Sequence, residues 1–99
     1  MNIKVEKTDH NAVFFIEGRI DTTTAPLLTE RLQNELAGVA SLELNLEKVD
    51  YISSAGLRAI LLAQKIMDKQ GKMVVSHVCK EIMETFELTC FTDILTIVA

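Results

Sequence analysis

Apolar residues recur in this chain with two periods, and the periods change places along its length. Ile3 and Val5 alternate with Lys4 and Glu6 across residues 2–8, the period of two that a half-buried β-strand needs. Val13-Phe14-Phe15-Ile16 is a continuous apolar run punctuated by Gly18, the mark of a more central strand. His10-Asn11 between them reads as a tight turn, so these two strands form a hairpin. Leu42-Glu43-Leu44-Asn45-Leu46 alternates again, and Met73-Val74-Val75 and Ile94 to Val98 supply two further strands. Between strands the period lengthens. Leu28, Leu32 and Leu36 recur every fourth residue after Thr22-Thr23-Thr24 and Ala25-Pro26, with Gly38 as a left-handed stop. A second helix runs from Ser53-Ser54 to about Lys69 and ends at Gly71, and a third covers roughly Lys80 to Leu88, burying Ile82, Met83 and Phe86.

The order ββαβαβαβ predicts an α/β domain: an N-terminal β-hairpin, a mixed sheet, and helices packed mainly on one face. At 99 residues, of which 48% are hydrophobic, one such domain spanning 1–99 is expected, with enough apolar material for a core. Ten Lys and Arg against fourteen Asp and Glu leave a net charge of −4. An acidic chain without basic runs argues against nucleic acid as a partner, because phosphate binding depends on cationic side chains. No apolar run reaches the ~18 residues of a membrane helix, and the first residues lack a signal-peptide layout. The expected location is the cytoplasm, without membrane insertion. Cys79 and Cys90 form no CxxC, and neither His10 nor His77 completes a zinc spacing. No metal and no cofactor is expected.

Binding sites in open α/β sheets gather beyond the carboxyl ends of the parallel strands. Two strand-to-helix segments end there: Gly18-Arg19-Ile20-Asp21-Thr22, and Val49-Asp50-Tyr51-Ile52-Ser53-Ser54-Ala55-Gly56. At 100° per residue, Gly56, Ala59, Ile60, Ala63, Ile66 and Met67 share the apolar side of the second helix. Ser54, Leu57, Arg58, Leu61, Lys65 and Asp68 fall opposite, which leaves Leu57 and Leu61 among polar neighbours as a candidate docking surface. Ser54 has three readings. It is an N-cap, a role Ser53 could equally fill; a phosphorylation site favoured by the helix N-terminus and by Arg58 one turn on; or a nucleophile, a poor reading because the GxSxG pattern is missing and neither histidine is an obvious base. Asp21 reads as a cap of the first helix, Asn45 as a strand residue facing away from the apolar side, and Asp50 as structural.

Gly18-Arg19-Ile20-Asp21, Leu44-Asn45-Leu46 and Tyr51-Ile52-Ser53-Ser54-Ala55-Gly56-Leu57-Arg58, in that order, resemble the STAS domain of bacterial anti-sigma factor antagonists over essentially the whole chain. The resemblance implies a partner switch rather than an enzyme. The unphosphorylated form binds an anti-sigma factor that is also an ATP-dependent serine kinase, phosphorylation at one serine ends that binding, and a serine phosphatase resets the system. By position the acceptor is Ser54, with Ser53 a minor candidate. Asp21, Thr22, Asn45, Ser53, Gly56, Leu57, Arg58 and Leu61 are implied in or beside the partner-facing surface, and the free chain is expected to be a monomer. A STAS adaptor in a signalling, transporter or lipid-transport assembly, without a phosphorylation cycle, is the alternative. Two residues depart from the family pattern. Ser53 stands where many phosphorylated members carry Asp, and Cys90 where Gly is common, so a different turn is expected at Cys90.

Overall fold

A computed structural model of the chain describes residues 1–98; the last residue of the expected domain, Ala99, lies outside the described residues. The strands are β1 (Asn2–Thr8), β2 (Asn11–Glu17), β3 (Ser41–Lys48), β4 (Lys72–Ser76) and β5 (Ile97–Val98), and the helices α1 (Ala25–Glu35), α2 (Ser54–Asp68) and α3 (Lys80–Leu88). They form one sheet in the order β1-β2-β3-β4-β5, antiparallel at the β1–β2 hairpin and parallel elsewhere. Thr8 pairs with Asn11, so the hairpin turn is Asp9-His10, one residue earlier than the sequence placed it. Asp9 takes positive φ there, a conformation that Asp tolerates through local hydrogen bonding.

Alternate strand residues decide which sheet face is covered. Phe14, Ile16, Leu42, Leu44 and Val75 are buried and join Leu28 and Leu32 of α1, Ile60, Ala63 and Met67 of α2, and Ile82 and Phe86 of α3 in one core cluster. Val13, Phe15, Glu43 and Val74 point the other way and keep contact with solvent. The α/β fold with helices mainly on one face is therefore the one expected from the alternation of periods.

Between β2 and β3 the register slips. Phe15 pairs with Asn45 but Glu17 pairs with Lys48, so β3 carries one extra residue at its carboxyl end. The Asn45 Oδ1 accepts the Glu47 N–H at 3.0 Å and closes this bulge. At the opposite end of the sheet, Gln70 Nε2 donates to the Leu36 and Val39 carbonyls at 2.6 and 2.7 Å, joining the end of α2 to the end of α1.

Two local expectations change, at the last strand and at Cys90, and the two helix-ending glycines act by different means. Gly38 has φ +79° as expected of a left-handed stop, but Gly71 does not have positive φ. Gly71 is required for space, because a Cβ would overlap the Ala40 carbonyl. The last strand is only Ile97–Val98, since the chain first makes a short 3-10 turn over Phe91–Asp93 and buries Leu95. Cys90 does not turn differently from a glycine: it occupies the left-handed region at φ 62°, ψ 21°. The turn it allows brings the Phe91 ring parallel to Phe86, centroids 6.2 Å apart.

Candidate functional site

β2 and β3 run parallel and end side by side, so the loops that follow them emerge together. Their backbones are laced: Gly18 N donates to Lys48 O, Ile20 N to Tyr51 O and Ser53 N to Ile20 O, at 3.0, 3.0 and 2.8 Å. Ile20 and Ile52 pair as an isolated parallel bridge with both side chains buried. The first turn of α2 lies directly over this bridge. A Cβ on Gly56 would come within 2.7 Å of Ile52 Cγ1 and 2.8 Å of Ile20 Cγ2 and O. Gly56 is thus buried by close packing and offers no surface, contrary to its expected place on the partner-facing side.

Ser53 and Ser54 divide the roles that the sequence left open. Ser53 is the N-cap of α2, extended at φ −94°, ψ 176°, and its Oγ accepts the Gly56 N–H at 3.2 Å. Ser54 is the first helical residue and exposed, and its hydroxyl makes no hydrogen bond among the described residues. Arg58, one turn along, is exposed and forms no ion pair among the described residues. Thr22 and Ala25 from the α1 side and Ala55, Arg58 and Ala59 from α2 line a shallow groove beside Ser54.

Leu57 corrects the helical-wheel reading. It is 8% exposed and belongs to the core, and Leu61 is half-buried. The buried arc of α2 runs through Gly56, Leu57, Ala59, Ile60, Ala63, Gln64 and Met67. It is turned toward Leu57 and Gln64, because packing covers that flank of the helix as well as the sheet-facing side. Leu57 is therefore a core residue, and Leu61 remains partly exposed.

Asp21 is engaged by its own loop. Its Oδ1 accepts from the Thr23 hydroxyl at 2.7 Å and from the backbone N–H groups of Thr23 and Thr24 at 3.0 and 3.1 Å. The Thr23 hydroxyl, followed by the Thr24 N–H, lowers the Asp21 pKa to about 2. Asp21 thus closes the turn over residues 22–24 that leads into α1 and does not cap the helix itself. Thr24, the formal cap of α1, instead donates its hydroxyl to Arg19 O at 2.7 Å.

Asn45 does not join this group. Its strand neighbour is Phe15, on the sheet face away from the helices, and it lines a separate groove there. Sequence reasoning missed a pair that the laced loops create. Arg19 stacks over the Tyr51 ring at 3.9 Å and lies 3.7 Å from Asp21 Oδ2. Both residues were visible in the quoted segments, but nothing local indicates that they meet.

Ser54 is therefore an exposed serine at the N-terminus of α2, on a loop tied to the end of the neighbouring strand. The STAS domain model matches residues 2–99, and the chain belongs to the STAS domain family. It is similar to the anti-sigma-B factor antagonist of Listeria monocytogenes, 32% identical over 103 residues that cover 98% of this chain and 90% of the relative. It is also similar to the anti-sigma-B factor antagonist of Bacillus subtilis, 29% identical over 100 residues, 100% of this chain and 92% of the relative. The fold is shared with the Bacillus anti-sigma factor antagonist SpoIIAA, 13% identical. Its unphosphorylated form superposes with a TM-score of 0.77 (99% of this chain, 88% of that one) and its phosphorylated form with 0.76 (99% and 92%).

Proposed function

We propose that this chain is an anti-sigma factor antagonist controlled at Ser54. Unphosphorylated, it binds an anti-sigma factor that is also a serine kinase, and the sigma factor is released. Phosphorylation of Ser54 ends that binding, and a serine phosphatase restores it. The observation that carries this reading is the exposed, uncommitted hydroxyl of Ser54 beside a cap already supplied by Ser53. The names of the two curated relatives support the partner class, and the existence of SpoIIAA in unphosphorylated and phosphorylated forms supports a phosphorylation cycle.

The mechanism is electrostatic. A phosphoserine adds roughly −1.5 to −2 charges to a surface formed by Thr22, Ser54 and Arg58 with Leu61 at its edge. A partner docked there must neutralise or desolvate that charge. The phosphate gains from the unpaired N–H groups of the first turn and from Arg58, so it needs no refolding to be held. Each ~1.4 kcal/mol of lost affinity is a factor of ten. Ser53 is a poor acceptor, because its oxygen is committed to Gly56 and the residue is half-buried.

The test uses wild type, Ser54→Ala and Ser54→Asp as baits in lysate of the source organism. A small ATP-binding kinase retained by wild type and Ser54→Ala but lost from Ser54→Asp is the expected result. Equal retention of a permease or scaffold by all three baits overturns the switch and leaves a STAS adaptor.

A further inference from the structure

The groove that Asn45 lines lies on the sheet face away from the helices, apart from the Ser54 groove. It is half open to solvent and has a volume of about 480 Å³, within the roughly 300–1,000 Å³ of small-molecule sites. Phe15, 38% exposed, supplies an apolar wall. Asn45 is 9% exposed, and its orientation is set because Oδ1 already accepts the Glu47 N–H that closes the bulge. Its Nδ2 makes no hydrogen bond among the described residues. The one fully enclosed side-chain polar atom without a partner among them is Gln64 Oε1, so Asn45 Nδ2 is not sealed and opens on the groove. An amide donor fixed in orientation, without a protein partner and open to the groove, matches a ligand that brings an acceptor.

The rim selects against charge of one sign. Lys4 is paired with Glu6 at 3.2 Å and Lys48 with Glu17 at 3.6 Å, while Glu47 has no ion pair among the described residues. Two cations against three carboxylates leave the groove negative, so an anionic acceptor is repelled and an uncharged one is not. We propose that this groove binds an uncharged aromatic carbonyl compound, its ring against Phe15 and its carbonyl oxygen on Asn45 Nδ2.

The test is a titration of the 15N-labelled chain with benzamide, followed by two-dimensional NMR, with benzoate as the anion of the same shape. Benzamide is expected to shift the Asn45 side-chain amide and the backbone signals of Phe15 and Lys48, and benzoate to bind about tenfold more weakly or less. Asn45→Asp keeps an oxygen for the Glu47 N–H but has no donor, and is expected to weaken benzamide about tenfold. Benzamide shifts confined to other surfaces, no shifts at all, or benzoate binding equal to benzamide overturns the proposal. The benzamide and benzoate comparison uses the unsubstituted chain, so it decides the matter even where Asn45→Asp disturbs the bulge.

Discussion

Ser53 and Ser54 are chemically identical and adjacent, yet one hydroxyl closes a helix cap and the other faces water. Ser53→Ala is expected to destabilise the chain by about 1 kcal/mol, the usual cost of an N-cap oxygen. Ser54→Ala is expected to stay within about 0.5 kcal/mol of wild type. Urea unfolding of the two variants checks the division of roles, and equal losses would contradict it. Cys90 has a conformation that runs against its chemistry. Its left-handed backbone is one that side chains with a Cβ adopt at a cost and glycine does not. Cys90→Gly is expected to raise stability by about 1 kcal/mol, read from the same urea transitions. All three residues were legible in the sequence, but only their surroundings decide which serine caps and whether the turn is left-handed.

At the scale of elements, the loops after β2 and β3 behave as one unit. Backbone hydrogen bonds tie Ile20 to Tyr51 and Ser53, and Asp21 ties its own loop to the start of α1. The Asp21 carboxylate is held at about 2, below its ordinary 3.8, first by the Thr23 hydroxyl. A depressed carboxylate stabilises the fold above the unfolded-state pKa and loses that contribution as pH falls toward the folded value. The window here is pH 4 to 2. Wild type is expected to lose stability more steeply across it than Asp21→Asn, measured by chemical denaturation at stepped pH. The Glu35 carboxylate, also lowered, first by the hydrogen bond from Lys7, is present in both proteins and cancels in the comparison. Parallel curves would show that Asp21 is not the group responsible. The loop motif was legible in the sequence because Gly, Asp and Thr each carry turn chemistry. The lacing between loops was not, since its partners lie about thirty residues apart.

On the scale of the molecule, the helices shield one sheet face and leave the other to the solvent and to the Asn45 groove. The proposed switch acts at the carboxyl edge of the sheet, where α2 rests on the Ile20–Ile52 bridge without room for a Cβ on Gly56. Such packing leaves little freedom for the start of α2 to move. Ser54→Asp is therefore expected to change amide chemical shifts only in the first turn of α2 and the two laced loops. Shifts spread through α1, α3 and the sheet would replace the electrostatic account with a conformational one.

The sequence by itself determined the order of elements, the hairpin, the covered sheet face and the serine-bearing loop. All of these rest on periodicity and turn chemistry within a few residues. Tertiary structure decided the burial of Leu57, the placement of Asn45 on the far face, the shortness of β5 and the meeting of Arg19 with Tyr51. A helical wheel sees one helix, whereas burial depends on what packs against it. Strand length likewise depends on a neighbour: β5 pairs with β4 only through Ile97 and Val98, and the turn made at Cys90 consumes the residues before them.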